Sequence, residues 1–377
     1  LNQCLKFEKM RTFLYIFIII SFMASCSLKK TGQVSNKLDE NSIEFVFLLG
    51  KNLPCDSILW GASIDFVNDS LLIIEELSGT STYGVYRVYS DKLVKEGSFL
   101  TIGNGPFEAV QPYLWGNGDK NILYVTDFSG RLRCIYKMNV EKIYHKDLWE
   151  TIHAPDAGEH LLFPSVAMMN DTLCFIVGSG LYSDNILSVI DFKLGTTEEV
   201  DEFKFPGFNS PSELKVAKHM VYCDAELLKH PTENKIVYAG RLGRYIEIFE
   251  IEGKEIRKRT PVCSTYPSFR ITSDQQQILN DDCLRGVLVR VTKNRIYSLM
   301  RPYTEKEAGE HDSYKERPNY YGDELIVYDW DGNLINAYRL DVPIVSFGVT
   351  NDDSVLYGTT LDEEDFVVRK YNLKNAE

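Results

Sequence analysis

Glu233-Asn234-Lys235-Ile236-Val237-Tyr238-Ala239-Gly240, then Tyr245-Ile246-Glu247-Ile248-Phe249, then Glu252-Gly253-Lys254 is the stretch on which the fold turns. An Asx-containing turn opens it, because Asn tolerates left-handed backbone or bonds it locally. A β-prone run follows, with Val, Ile and Tyr at its centre. The next run alternates, which is the period of a strand, and Glu-Gly-Lys closes it with a tight hairpin turn. The unit is therefore a meander of short antiparallel strands.

The same order of signals recurs along the chain. Asx turns stand at Asn68-Asp69, Asn117-Gly118-Asp119, Asn170-Asp171, Lys293-Asn294 and Asn351-Asp352, each ahead of an apolar run: Leu71–Ile74, Ile122–Thr126, Leu173–Val177, Ile296–Leu299 and Val355–Gly358. A second run follows each time, at Val85–Tyr89, Leu132–Tyr136, Ile186–Ile190, Leu325–Tyr328 and Phe366–Tyr371. Marked by Tyr89, Tyr136, Ile190, Phe249, Tyr328 and Tyr371, the steps are 47, 54, 59, 79 and 43 residues. Six units of about four strands, near the ~40–50 residues of known blades, predict an all-β fold: a six-bladed β-propeller of four-stranded antiparallel blades.

A doubly wound α/β fold would need a helix between successive strands, and Pro211–Tyr222 is the one amphipathic stretch that could supply any. A two-sheet sandwich competes less well, since it does not require six similar units. The last unit ends with the chain and lacks an outer strand. Residues 43–49, Ile-Glu-Phe-Val-Phe-Leu-Leu, stand before the first unit and are expected to close the ring as that N-terminal strand, so that no edge is left open.

Ahead of the domain, Lys9 and Arg11 precede the apolar run Phe13–Phe22 and then Met23-Ala24-Ser25-Cys26. A basic start, a short apolar stretch and small residues read as a secretory signal over residues 1–25, with 1–9 an upstream extension before Met10. A spanning helix would need ~20 apolar residues. The Ala-Ser-Cys ending resembles a bacterial lipobox, which implies cleavage before Cys26 and acylation of its thiol. Residues 26–42 then form a polar tether, and residues 43–377 form the propeller. The formal charge is −13, and −15 once Lys6, Glu8, Lys9 and Arg11 are removed. Nucleic acid is a poor partner for such a surface.

Ile102-Gly103-Asn104-Gly105-Pro106-Phe107-Glu108 is similar to the Gly-x-Gly-Pro-x-Glu segment joining early blades in the TolB-like six-bladed propeller lipoproteins of Gram-negative envelopes, with Phe107 where Gly is usual. The resemblance spans residues 43–377 at the level of repeat architecture. It implies an exported protein lipid-anchored in the cell envelope, with no agreed catalytic residues; Ser27 after Cys26 is compatible with outer-membrane sorting, facing the periplasm in preference to the cell surface. Gly103 and Gly105 do not read as a phosphate cradle, because no strand-to-helix context follows.

Loops between second and third strands share a face with the connectors between blades, and this is the expected binding face. It collects Gly103, Asn104 and Glu108 from the first connector, Arg131 from the second unit, and Arg241 and Arg244 from the fourth. An insertion from Arg301 to Gly322 explains the 79-residue step and adds Tyr303, His311, Tyr314, Tyr320 and Tyr321. Tyr and Arg favour interfaces, and long loops on rigid scaffolds are often functional.

No nucleophile elbow or zinc spacing occurs; His145, His153 and His160 do not match a ligand pattern. Asp329-Trp330-Asp331-Gly332-Asn333 reads as a hairpin turn, since Leu340 stands where a calcium loop needs its Glu. Six cysteines follow Cys26, at 55, 134, 174, 223, 263 and 283, with Cys263–Cys283 the preferred pair if a disulfide forms. The expectation is a monomeric, non-catalytic binding or scaffold module for an envelope protein, peptide or glycan, needing no cofactor. The alternative is a metal-dependent hydrolase or lactonase, with calcium held at the channel mouth by carboxylates such as Glu75, Glu108, Asp127 and Asp184.

Overall fold

A computed structural model describes residues 43–55, 61–76, 81–116, 121–127, 134–153, 165–177, 185–204, 221–272, 277–310, 321–362 and 365–374. Ile43–Glu377 form one compact unit. Residues 1–42, to which the expected signal segment, Cys26 and the expected tether belong, lie outside the described residues, as does most of Pro211–Tyr222. Among the described residues no helix is long and apolar enough to cross a membrane.

The unit is a six-bladed β-propeller whose blades are antiparallel meanders. Blade 1 runs Gly61–Val67, Leu71–Glu76, Ser81–Val88 and Leu93–Ile102. Blade 2 runs Pro112–Gly116, Ile122–Asp127, Cys134–Asn139 and Glu150–His153. Blade 3 runs Val166–Asn170, Leu173–Val177, Leu187–Asp191 and Thr196–Glu199. Blade 4 runs Ala225–Lys229, Lys235–Gly240, Arg244–Glu252 and Glu255–Thr265. Blade 5 runs Val287–Val291, Ile296–Met300, Gly322–Tyr328 and Leu334–Ile344. Blade 6 runs Ser346–Val349, Val355–Asp362 and Asp365–Asn372.

The second strand of every blade is the apolar run that follows an Asx turn. Leu72, Ile73 and Ile74 are fully buried in succession, as are Ile236, Val237, Tyr238 and Ala239. A strand covered on both faces reads as a continuous apolar run, and here both covers are neighbouring blades. Phe66, Tyr83 and Val85 of blade 1 share a core with Leu114, Val125 and Tyr136 of blade 2. Phe175 and Val189 of blade 3 share another with Tyr238 and Phe249 of blade 4. Radial packing is thus the way these sheets bury both faces.

The N-terminal segment closes the ring, but with a different strand from the one expected. Lys51–Leu53 pairs antiparallel with Asp365–Asn372 and is the outer strand of blade 6. Val46–Leu48 instead joins Leu334–Ile344 in parallel as a fifth strand of blade 5. Leu48 is drawn there because it buries between blades 5 and 6 with Tyr338, Leu340 and Tyr371. Gly50 lets the chain pass between the two blades: a Cβ there would lie 2.6 Å from the Tyr371 ring. Arg369 fixes the closure by donating to Gly50 O at 2.8 Å and Asn52 Oδ1 at 2.9 Å.

The six cysteines of the propeller form no disulfide, including Cys263 and Cys283. Cys263 lies opposite Ile246 within the outer strand of blade 4, while Cys283 is buried in the segment leading into blade 5. At the calcium-like sequence, Asp329 accepts from Asp331 N at 2.9 Å, Asn333 N at 2.8 Å and Asn333 Nδ2 at 2.8 Å. Its carboxylate is spent on closing the hairpin.

Candidate functional site

The first strand of each blade lies nearest the axis, and its side chains alternate between the two flanking blades, as Val166 and Met168 face blade 2 while Ala167 faces blade 4; beside the axis some of them also border the central channel. On these strands charged residues sit among apolar ones: Asp65 between Ile64 and Phe66, Glu226 between Ala225 and Leu227, Arg290 between Val289 and Val291. They line a cavity of about 480 Å³ at the channel mouth, to which blades 1, 2, 4, 5 and 6 contribute. Below it the channel continues past Asp65, Gly116 and Arg290 into a void of about 70 Å³. A neighbouring cavity of about 450 Å³ shares Glu75, Pro112, Tyr113, Asp224 and Arg241 with the first.

Arg290 ties four blades together around the axis. Its Nη1 donates to Glu226 Oε1 of blade 4 at 3.1 Å, its Nη2 to Ile64 O of blade 1 at 3.0 Å, and its guanidinium lies 5.9 Å from the Phe347 ring of blade 6. Glu226, 3% exposed, also accepts from Val289 N at 2.7 Å. This buried pair is hydrogen-bonded at both ends, the condition under which such a pair is tolerated.

Arg241 is held more loosely. Its nearest acid oxygens are Glu226 Oε1 at 3.6 Å and Asp224 Oδ1 at 3.7 Å, with the Tyr113 hydroxyl at 3.5 Å, and 36% of its side chain is exposed. Burial works against its charge, but Tyr113, Glu226 and Asp224 outweigh that and hold its pKa above the usual arginine value. On blade 1, Asp65 accepts from Ser63 Oγ at 2.6 Å. Glu75 is paired with Tyr83 through its strand backbone, and among the described residues no side-chain hydrogen bond or salt bridge reaches its carboxylate. Burial pushes Asp65 above the ordinary carboxylate range against the pull of Arg290. Burial, then the Asp65 charge, push Glu75 up to about 7, with Arg241 opposing. Tyr113 is pushed up to about 12, mainly by burial.

The insertion after blade 5's second strand begins at this rim. Arg285 N donates to Tyr303 O at 2.8 Å, and the Arg285 guanidinium pairs with Glu305. Glu305 opens the short helix Glu305–Gly309, whose capping box joins Thr304 and Glu307. The start of the long loop is thereby fixed beside the cavity.

Of the residues singled out from sequence, Arg241 enters the cavity. Arg244 begins the third strand of blade 4, opposite Thr265. Gly103, Asn104 and Glu108 build the corner between blades 1 and 2. There Glu108 Oε2 accepts from Gly105 N at 2.8 Å, and a Cβ at Gly103 would lie 2.1 Å from it. Phe107 adopts φ +59°, the left-handed region that Gly enters freely, and packs edge-on against Trp149. Tyr303 contributes its carbonyl, and Tyr321 packs against the core between blades 6 and 1. Arg131, His311, Tyr314 and Tyr320 lie outside the described residues.

Of the carboxylates weighed for a metal, Glu75 faces the cavity, Glu108 holds the corner, and Asp127 accepts from Val110 N at 3.0 Å and Gln111 N at 3.1 Å. Asp184 lies outside the described residues. No group of three or more His, Cys, Asp or Glu among the described residues is placed to hold a metal ion. The arrangement offers a polar pocket with spare acceptors on blade 1 and spare donors on Arg241. Sequence reasoning passed over Asp65, Glu226, Arg290 and Tyr113. Their signal was a charged or polar residue within the largely apolar strand that precedes the Asx turn in blades 1, 2, 4 and 5.

No curated protein matches the sequence. A crystal structure of a DUF4221 family member from Bacteroides vulgatus, 12% identical, shares the fold with a TM-score of 0.51, covering 87% of this chain and 98% of its own. The family model described as TolB-like 6-blade propeller-like matches residues 64–352. With the blades, the ring closure and the axial cavity in place, that match shows that the chain belongs to the TolB-like six-bladed propeller family.

Proposed function

We propose that the protein is an exported, lipid-anchored binding or scaffold module of the cell envelope, non-catalytic, that holds a protein, peptide or glycan at the mouth of its central channel. The observation that carries the reading is the roughly 480 Å³ polar cavity to which five blades contribute side chains. A pocket of that size, with a few convergent polar groups on a rigid frame, is the usual form of a ligand site. Arg290–Glu226 and Arg285–Glu305 fix the frame, while Arg241 and Glu75 retain capacity for a ligand. The acidic surplus favours a neutral or basic partner. Export, and acylation at Cys26 on an outer membrane facing the periplasm, rest on the leader sequence Lys9–Cys26 and the family resemblance.

Gly116 provides the test, because it lines the channel and a Cβ there would meet nothing nearer than Phe66 at 3.9 Å. Gly116→Trp is expected to obstruct the channel, and a thermal melt matching wild type checks that the fold is preserved. Affinity capture from envelope extract should recover a partner with the wild-type protein and lose it with the plugged variant; equal recovery would remove the cavity from the account.

A further inference from the structure

The two cavities meet at Glu75, Pro112, Tyr113, Asp224 and Arg241. This junction is electrically bipolar. One pole holds the carboxylates of Asp65 and Glu75, on adjacent strands of blade 1, with Ser63 Oγ as hydrogen-bond donor to Asp65 and no donor on Glu75. The other holds Arg241, whose nearest acceptors lie at 3.5–3.7 Å, too far for well-formed charge-assisted bonds. Arg290 and Arg285 are paired with Glu226 and Glu305, and Arg241 is the guanidinium that borders both cavities. Pro112 and Tyr113 line both cavities as well, with the Tyr113 hydroxyl 3.5 Å from Arg241.

We infer that this junction recognises a short zwitterionic peptide, its protonated amine against Asp65 and Glu75 and its carboxylate against Arg241. The inference rests on the binding-module reading above and names the ligand class for that site. A carboxylate pair with so few donors carries a desolvation cost that a bound ammonium group relieves. A guanidinium matches a carboxylate with two parallel hydrogen bonds. Two adjoining volumes of about 480 and 450 Å³ give room for a few residues. The raised pKa of Glu75 fits the same picture, because an ammonium ion is what lets both carboxylates carry charge together.

The probe is a random tripeptide library with free ends, measured against the same library N-acetylated or C-amidated, by ligand-observed NMR and calorimetry on the purified protein. Each cap removes one charge and should weaken binding about tenfold or more, the size of a charge-assisted hydrogen bond. Glu75→Gln should narrow the difference between free and acetylated libraries, with Asp65 holding the remainder, and Arg241→Gln should erase the difference between free and amidated ones. The capped libraries decide the matter on wild-type protein alone, whatever the variants do to folding. Equal binding of all three libraries, or no binding of any, overturns the inference. If a neutral oligosaccharide such as chitotriose binds wild type but not Gly116→Trp while peptides fail, the ligand class is wrong and the cavity remains the site.

Discussion

Arg290 joins the channel walls, and replacing it with Leu should expose how much the propeller depends on that tie. The change leaves Glu226, 3% exposed, with Val289 N–H as its remaining close donor and Arg241 at 3.6 Å as its nearest cation. Breaking a buried, hydrogen-bonded ion pair from one side costs about 3–5 kcal/mol. Because Arg241 partly compensates, the lower end is expected, and losing the Phe347 contact adds roughly 0.5–1 kcal/mol. At about 2 °C per kcal/mol for a domain of this size, the melting temperature should fall by about 6–8 °C. Glu226→Gln keeps an acceptor for Val289 N–H without the charge. The double variant Glu226→Gln/Arg290→Leu should therefore be more stable than Arg290→Leu alone by about 1–2 kcal/mol. Urea unfolding followed by circular dichroism measures the full cycle. Additive single effects, with coupling below about 0.5 kcal/mol, would refute the reasoning that Arg290 compensates a buried charge.

Three further outcomes are expected. Phe107 sits at φ +59°, so Phe107→Ala should be less stable than Phe107→Gly by about 1 kcal/mol in thermal melts, although both lose the Trp149 contact. Truncation to residue 50, which removes Val46–Leu48 but keeps Lys51–Leu53, should leave a cooperative melt, whereas truncation to residue 55 should abolish it. Glu75 titrates near 7 in the folded state because of burial and Asp65, against an ordinary value of 4.5 in the unfolded chain. Its protonated form is thus favoured by folding: that stability is complete below about pH 4.5 and is lost as pH rises through about 7. Wild type should lose melting temperature relative to Glu75→Gln across that window, with Asp65 adding in the same direction and Arg241 opposing.

The blades were legible because each second strand is covered on both faces and carries an unbroken apolar centre, as Leu72–Ile74 and Ile236–Ala239 do. The closing strand was harder to read. Ile43–Leu49 is the more apolar run, but an outer strand faces solvent and is selected by backbone pairing and the approach permitted at Gly50, so the more polar Lys51–Leu53 takes that place. The site was least legible. Loop residues such as Arg244, Tyr303 and Tyr321 looked like binding anchors, yet Arg244 starts a strand, Tyr303 offers its carbonyl and Tyr321 packs into a core. The cavity is built instead by Asp65, Glu226 and Arg290, whose charges make first strands read weakly as strands. Which of those charges meet across the axis depends on which blades the closed ring sets side by side, information that no local sequence window holds.

Photo-crosslinking tests most directly the proposal that a partner is held at the channel mouth. A benzophenone side chain at Leu288, on the cavity wall, should give a covalent adduct with a partner from cell extract, while the same group at Ile335, exposed on the fourth strand of blade 5, should give none. Adducts at Ile335 with nothing captured from Leu288 would place the working surface on the rim and contradict it.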